Sequence, residues 1–229
     1  MELLNVCDLE KSYYTENSRT MKREKTEVLK NISLRITENE SVCIMGRSGC
    51  GKTTLLRILG GLLAPTAGTV YYRGEKISDY RRVRMEEYRR TQVGFVFQDY
   101  KLLDHLTIMD NMLLPLMLDH REVKMSVRKV EEMAEMLQIS DRLDYYPHEL
   151  SGGEKQRAAI GRALMNDPKL ILADEPTGNL DEASGQMVME LLIRLQKDLH
   201  KTLVLVTHDK EVADFCGRVI NIKAGRVVE

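Results

Sequence analysis

The run Val42-Cys43-Ile44-Met45 leads without a break into Gly46-Arg47-Ser48-Gly49-Cys50-Gly51-Lys52-Thr53, and the spacing predicts a helix over Lys52 to Leu62. A strand, a glycine-rich turn and a helix in that order form the context in which the G-x-x-x-x-G-K-[ST] pattern cradles phosphate. The glycines let consecutive backbone N–H groups turn inward, Lys52 adds a positive charge, and Thr53 offers a hydroxyl to magnesium, with Thr54 beside it. A chain with this feature is constrained to an α/β architecture built around a phosphate loop.

Two further segments carry related chemistry. Leu150-Ser151-Gly152-Gly153-Glu154 reads as a turn opening a helix, so that a hydroxyl, free amides and a helix dipole point at one anion. Leu170-Ile171-Leu172-Ala173 is a wholly apolar strand ending in Asp174-Glu175, at the sheet edge where ligands bind. One carboxylate, Asp174, is placed to orient magnesium; the other, Glu175, is placed to polarise a water. Taken singly, the Ser151 turn reads better as a helix N-cap after a flexible turn, and surface charge is the lesser reading of the acidic pair. Their order behind the phosphate loop favours a hydrolytic nucleotide site.

The order and wording of these motifs resemble the ATP-binding cassette (ABC) superfamily, over almost the whole chain. The resemblance implies one nucleotide-binding domain over 1–229. Its P-loop NTPase core would occupy 1–98 and 158–229, with an amino-terminal antiparallel β subdomain, and an inserted α-helical subdomain would occupy 99–157. It implies ATP and Mg2+ as cofactors. Residues Gly46 to Thr54 would hold the phosphates, and Thr53, Gln98 and Asp174 the magnesium. Glu175, His208 and Gln98 would act in hydrolysis, His208 following the strand Leu203 to Thr207 and Gln98 following Val93 to Phe97. Tyr13 would stack on adenine, with Tyr14 or core packing as the other reading. Ser151, Gly152 and Gly153 would come from a second nucleotide-binding subunit, a homodimer or paralogue, across an approximate two-fold axis, with Asp181 communicating between two ATP sites.

Within the superfamily, Ala173 to Asp181 and Gly94 to Gln98 resemble the branch of macrolide exporters, lipoprotein-release ATPases and antimicrobial-peptide resistance transporters. The resemblance implies separate transmembrane permease subunits and a place on the cytoplasmic face of the membrane. The cargo would be a peptide, lipid-linked or drug-like substrate. The other membrane-complex reading is a non-transporting ATPase of the cell-division type. A soluble DNA-repair ATPase is disfavoured, because the chain has neither a coiled-coil insertion nor paired zinc cysteines.

Composition agrees. Lys+Arg 34 against Asp+Glu 35 gives a formal net charge of -1, so no basic field recruits nucleic acid. No apolar run reaches the roughly 18 residues of a membrane span, and Met1 to Asn5 lacks the basic start of a signal peptide. The scattered Cys7, Cys43, Cys50 and Cys216 argue for reduced thiols.

Short strands are expected at Ile32 to Ile36, Val42 to Met45, Val70 to Tyr72, Val93 to Phe97, Leu170 to Ala173, Leu203 to Thr207 and Val219 to Ile222. Thr107 to Ile139 reads as helical, with Val123, Val127, Val130, Ala134 and Leu137 as a buried stripe. Thr15 to Thr26 reads as an exposed loop, and Met109, Met112 and Met117 as buried in the helical part. Asn39 stands where the family favours glycine, a position Asn fills at positive φ. Cys50, near a helix N-terminus and Lys52, is expected to be reactive. Leu102, Leu103 and Leu106 are read either as lining a groove for a membrane partner or as anchoring the helical part to the core.

Overall fold

The computed structural model describes residues 1–16, 23–119 and 122–228. Two sheets organise it. β1 (Glu2–Glu16), β2 (Arg23–Thr37), β4 (Ala67–Tyr72) and β5 (Glu75–Lys76) form an antiparallel sheet in the order β2-β1-β4-β5. β3 (Ser41–Met45), β6 (Val93–Phe97), β7 (Leu170–Asp174), β8 (Thr202–Thr207), β9 (Arg218–Lys223) and β10 (Arg226–Val228) form the second, in the order β10-β9-β3-β8-β7-β6. In it β9, β3, β8, β7 and β6 run parallel, and β10 returns antiparallel to β9.

The central strands read as continuous apolar runs because both their faces are covered. Alternate side chains take opposite faces. Val42, Ile44, Leu172, Val204 and Val206 join the antiparallel sheet and helix α1 (Lys52–Leu59) in one core. Cys43, Ile171, Ala173, Leu203 and Leu205 join a second core on the opposite face. That core is built with helices α3 (Ile108–Leu118), α4 (Val123–Met136), α5 (Gly152–Leu164) and α6 (Glu182–Asp198). Helix α2 (Arg82–Thr91) lies between β5 and β6 in the chain, and α7 (Lys210–Asp214) between β8 and β9.

All seven expected strands are present within longer or equal ones. The helix expected over Lys52 to Leu62 ends instead at Leu59. Gly60 caps it, Gly61 turns left-handed at φ 68, and a Cβ on Gly60 would sit 2.1 Å from the Phe95 ring. The loop expected over Thr15 to Thr26 is narrower. Tyr13 pairs with Thr26 and Tyr14 with Lys25, so β1 and β2 extend into it as an exposed ribbon; residues 17–22 of that expectation lie outside the described residues.

On α4, Val130, Ala134 and Leu137 are buried and Val127 is half-buried, while Arg128, Glu131, Glu132 and Glu135 face water. The side chain of Val123 lies outside the description. Met112 is buried and Met109 half-buried, but Met117 is exposed, because the far end of α3 presents Met117 and Leu118 away from the core. Asn39 adopts φ 62. The boundary drawn at 157 and 158 falls inside α5, a continuous helix. Among the described residues, no helix is long and apolar enough to cross a membrane.

Candidate nucleotide site

The turn after β3 opens because two of its glycines take conformations that side chains resist. Gly49 has φ 78 and Gly51 φ 105, and a Cβ on Gly51 would meet Leu29 at 2.7 Å. Helix α1 then begins at Lys52, with its positive dipole end at the loop. Lys52 is 5% exposed and braces the loop from inside. Its Nζ donates to the carbonyl oxygens of Gly46 at 2.7 Å and Arg47 at 3.3 Å, and lies 3.9 Å from Glu175 Oε1. A cavity of about 290 Å3 opens here, lined by Ser48, Gly49, Lys52, Thr53, Thr54 and Glu175 together with Gly51 and Val28 of β2.

The acidic pair is delivered by β7 next to the loop. Thr53 Oγ1 donates to Asp174 Oδ1 at 2.8 Å. Burial pushes the Asp174 carboxyl above the usual range, and the Thr53 hydrogen bond opposes that shift. Glu175 sits at φ 46, a left-handed conformation uncommon for a non-glycine residue and concentrated at functional sites. Its Oε2 is 2.8 Å from His208 Nδ1, at the end of β8. These oxygens, a buried ammonium and an imidazole converge within one cleft.

Gln98 stands beside this group, since β6 and β7 pair up to Phe97 and Asp174. Its amide is exposed and engaged by the loop that follows Glu175: Gln98 Nε2 donates to Asn179 Oδ1 at 3.3 Å, and Asn179 Nδ2 donates to the Gln98 carbonyl at 3.0 Å. A Cβ on Gly178 would come within 2.8 Å of Gln98 Nε2, so the loop lies close against the Gln98 side chain, which would have to shift for a larger residue. Asp181 caps α6, accepting from Ser184 N at 2.9 Å, and hydrogen bonding from the Ser184 side chain and then its backbone N–H holds the carboxyl below the usual range.

Other expected residues lie outside the cavity lining. Gly46 closes the loop against Ile222, where a Cβ would be 2.4 Å from the carbonyl oxygen, and Cys50 Sγ packs beside it. Ser151 caps α5 in a reciprocal box: it accepts from Glu154 N at 3.3 Å, while its own N and Oγ donate to Glu154 Oε2 at 2.8 and 2.7 Å. These bonds, with Arg142 Nε at 2.8 Å from the other oxygen, hold the Glu154 carboxyl at about 2. Gly152 and Gly153 lie against Leu180 and Ser184 of the loop and helix after the acidic pair. Tyr13 is 41% exposed on the hairpin, with the Lys11 ammonium 5.3 Å from its ring centre.

Sequence reasoning assigned no role to Val28 or Asn179. Asn179 stands in the quoted run Ala173 to Asp181, so a hydrogen-bonding partner for Gln98 was within reach; nothing in the local pattern around Val28 marks it.

The family model described as ABC transporter matches residues 29–178. An uncharacterised ABC transporter ATP-binding protein of Methanocaldococcus jannaschii is 47% identical, covering 90% of this chain and 91% of that protein. A bacitracin export ATP-binding protein of Halalkalibacterium halodurans is 40% identical over 99% of this chain and 87% of its own length. The macrolide export ATP-binding/permease protein of Shigella flexneri is 43% identical over 99% of this chain, which spans 34% of that longer protein. Among solved structures, a dimeric ATP-binding cassette in a post-hydrolysis state bound to ADP and Pi superposes with a TM-score of 0.89 at 39% identity. The match covers 99% of this chain and 97% of that one.

Proposed function

The chain belongs to the ABC transporter family, as an ATP-binding protein, and from that premise we propose that it powers export or membrane extraction by hydrolysing ATP for separate permease subunits. The observation that carries the reading is the convergence of Lys52, Thr53, Asp174, Glu175 and His208 on one cleft.

ATP is the substrate, with its phosphates in the Gly46 to Thr54 loop and its base on Tyr13. The inward-turned amides and Lys52 would hold the β- and γ-phosphates. The donor set fits Mg2+: the Thr53 hydroxyl and Asp174 carboxylate are hard oxygen ligands 2.8 Å apart, and the Gln98 amide stands at the next strand end. When bound there, the ion supplies charge neutralisation to the phosphate oxygens. Glu175 orients the attacking water and takes up its proton. His208 fixes Glu175 through the 2.8 Å contact, from where it would contact the γ-phosphate. Strain at Glu175 favours a side chain aimed into the cleft rather than along the strand.

Ser151, Gly152 and Gly153 do not line the cavity of their own chain, which supports their supply to a second subunit's ATP, with Asp181 at the seam. The permease would dock in a groove of about 910 Å3 bordered by Phe95, Phe97, Leu114, Pro115 and Leu118, between the sheet edge and α3. Leu102 packs on the core beneath, so it serves as the anchor, while Leu103 is exposed toward a partner. The relatives named for bacitracin export and macrolide export support a peptide or drug-like cargo. Docking in that groove would place the chain on the cytoplasmic face of the membrane.

Purification from native membranes tests this reading. A multi-span subunit should copurify, and the complex should release phosphate from ATP only with Mg2+ present. A complex of soluble proteins alone, or turnover unaffected by chelation of magnesium, would overturn it.

A further inference from the structure

The groove beside α3 is lined by charged as well as apolar side chains, and most of those charges are answered within the chain. Glu86 Oε1 lies 2.8 Å from Arg82 Nε, Asp119 Oδ1 3.3 Å from Arg90 Nη1, and Asp99 Oδ2 2.5 Å from Lys101 Nζ. On the α2 rim, Arg89 donates to the Gly61 carbonyl at 2.9 Å, and Glu87 is exposed to water. Arg162, reaching in from α5, is different. It is half-buried, burial lowers its guanidinium from the ordinary value, and no carboxylate stands within ion-pair distance of it among the described residues.

Arg162 holds backbone instead. Its Nη2 donates to the Tyr100 carbonyl at 2.8 Å and its Nη1 to that of Lys101. Both of those residues are left-handed, Tyr100 at φ 59 and Lys101 at φ 50. Two consecutive non-glycine residues in that region persist only where their surroundings fix them. They follow closely on Gln98. The Tyr100 hydroxyl also reaches the Asn179 carbonyl at 3.5 Å and lies 3.1 Å from where a Cβ on Gly152 would stand. One guanidinium thus fixes a loop that touches Gln98, the segment after the acidic pair and the Ser151 turn.

A guanidinium carries five N–H groups in a fixed fork, and the loop takes two of them. Three remain, with the whole charge, for an acceptor in the groove. We infer that the segment docking there carries an aspartate or glutamate that pairs with Arg162, so that a single side chain joins the permease to the loop after Gln98. The inference rests on the permease reading above. A wholly apolar helix face would suit Phe95, Phe97, Leu114 and Leu118, but it would strip the remaining water from Arg162 and leave the charge unpaired. A basic segment would add repulsion. A carboxylate accepts from the fork in a bidentate manner and meets both demands. Arg162 is then a positioning residue, acting on Gln98 through Tyr100 and Lys101.

The test uses the complex recovered from native membranes. Arg162→Glu should lower recovery of the permease roughly 30-fold or more, with a thermal melt confirming that the chain is folded. Each Asp and Glu in the cytosolic segments of the recovered permease is then changed to Arg in turn. One such reversal should cause a similar loss with the wild-type chain and restore recovery with Arg162→Glu. An arginine with a purely structural role could not be rescued from another polypeptide. Should Arg162→Glu not fold, Arg162→Lys keeps the charge and takes its place: a carbodiimide should couple its amine to one permease carboxylate, read as a linked peptide by mass spectrometry. Undiminished recovery with Arg162→Glu, the absence of any rescuing reversal, or the absence of that link overturns the pairing and leaves the permease reading in place. If the wild-type chain recovers no multi-span subunit, the permease reading itself falls, and the pairing with it.

Discussion

The phosphate loop and the Ser151 turn are both glycine-rich entrances to helices, yet they are satisfied in opposite ways. At the loop, a buried Lys52 and the Thr53–Asp174 hydrogen bond bind three separate elements into one cleft, and the polar groups left over point into the cavity. At the Ser151 turn, hydroxyl and amide are tied to Glu154 within the same helix, and they do not line the phosphate-loop cavity. The first is a site assembled by the fold. The second is a helix end satisfied by its own cap; under the proposed pairing, an anion bound to another subunit would replace Glu154 as the acceptor.

The contrast can be broken at either end. Lys52→Ala should have the largest effect, because it removes both the charge facing phosphate and the braces to Gly46 and Arg47. Nucleotide affinity should fall on the order of 100-fold, with turnover falling alongside; titration with a fluorescent ATP analogue reads it, and wild-type binding would refute the assignment of the loop. Glu175→Gln should leave affinity intact while slowing hydrolysis by roughly 10²- to 10⁴-fold. With MgATP it should also accumulate as a dimer in sedimentation, and a variant that stays monomeric would remove the support for a shared site.

Ser151→Ala sharpens the other side. ATP binding to the isolated chain should be unchanged and turnover reduced, while loss of the cap lowers stability by about 1 kcal/mol. Thermal melts and turnover assays separate the two effects; lost ATP binding by the monomer would place Ser151 in its own chain's cleft. The smallest effect is a pH one. Glu154 is held at about 2 in the folded chain, below its ordinary 4.5, so its contribution is complete above 4.5 and is lost as pH falls toward 2. Glu154→Gln should therefore flatten the acid side of the stability curve in that window and leave neutral pH nearly unaltered beyond the cap itself. An identical acid profile would show that the carboxylate does not hold the turn.

The two halves also differ in how far they could be read beforehand. The parallel sheet was legible because Val42, Ile171 and Val204 stand in uniform apolar runs, which only doubly covered strands require. The phosphate loop and acidic pair were legible because their chemistry demands particular residues at short spacing. What escaped depended on neighbours distant in the chain. Phe95 sets the end of α1 by occupying the space a Cβ at Gly60 would need, and no local pattern records that. The hairpin beyond Tyr13 persists through cross-strand pairing in a polar segment, where periodicity gives no signal. Met117 is exposed because α3 stops short of a covering layer at that end, a fact of packing rather than spacing.

Helix α5 begins at the Ser151 turn and runs against the strand that delivers Gln98. Gly94 of β6 lies so near Ala163 that an added Cβ would be 2.4 Å from its carbonyl oxygen, and Gly161 admits Met112 and Leu137 of α3 and the α4 terminus equally closely. With backbone on backbone there is no compressible layer between helix and strand. Whatever grips the Ser151 end therefore works on a stiff rod whose far half is keyed to β6, and any tilt imposed there has to be taken up by the sheet edge, by Gln98, or by the groove beside α3.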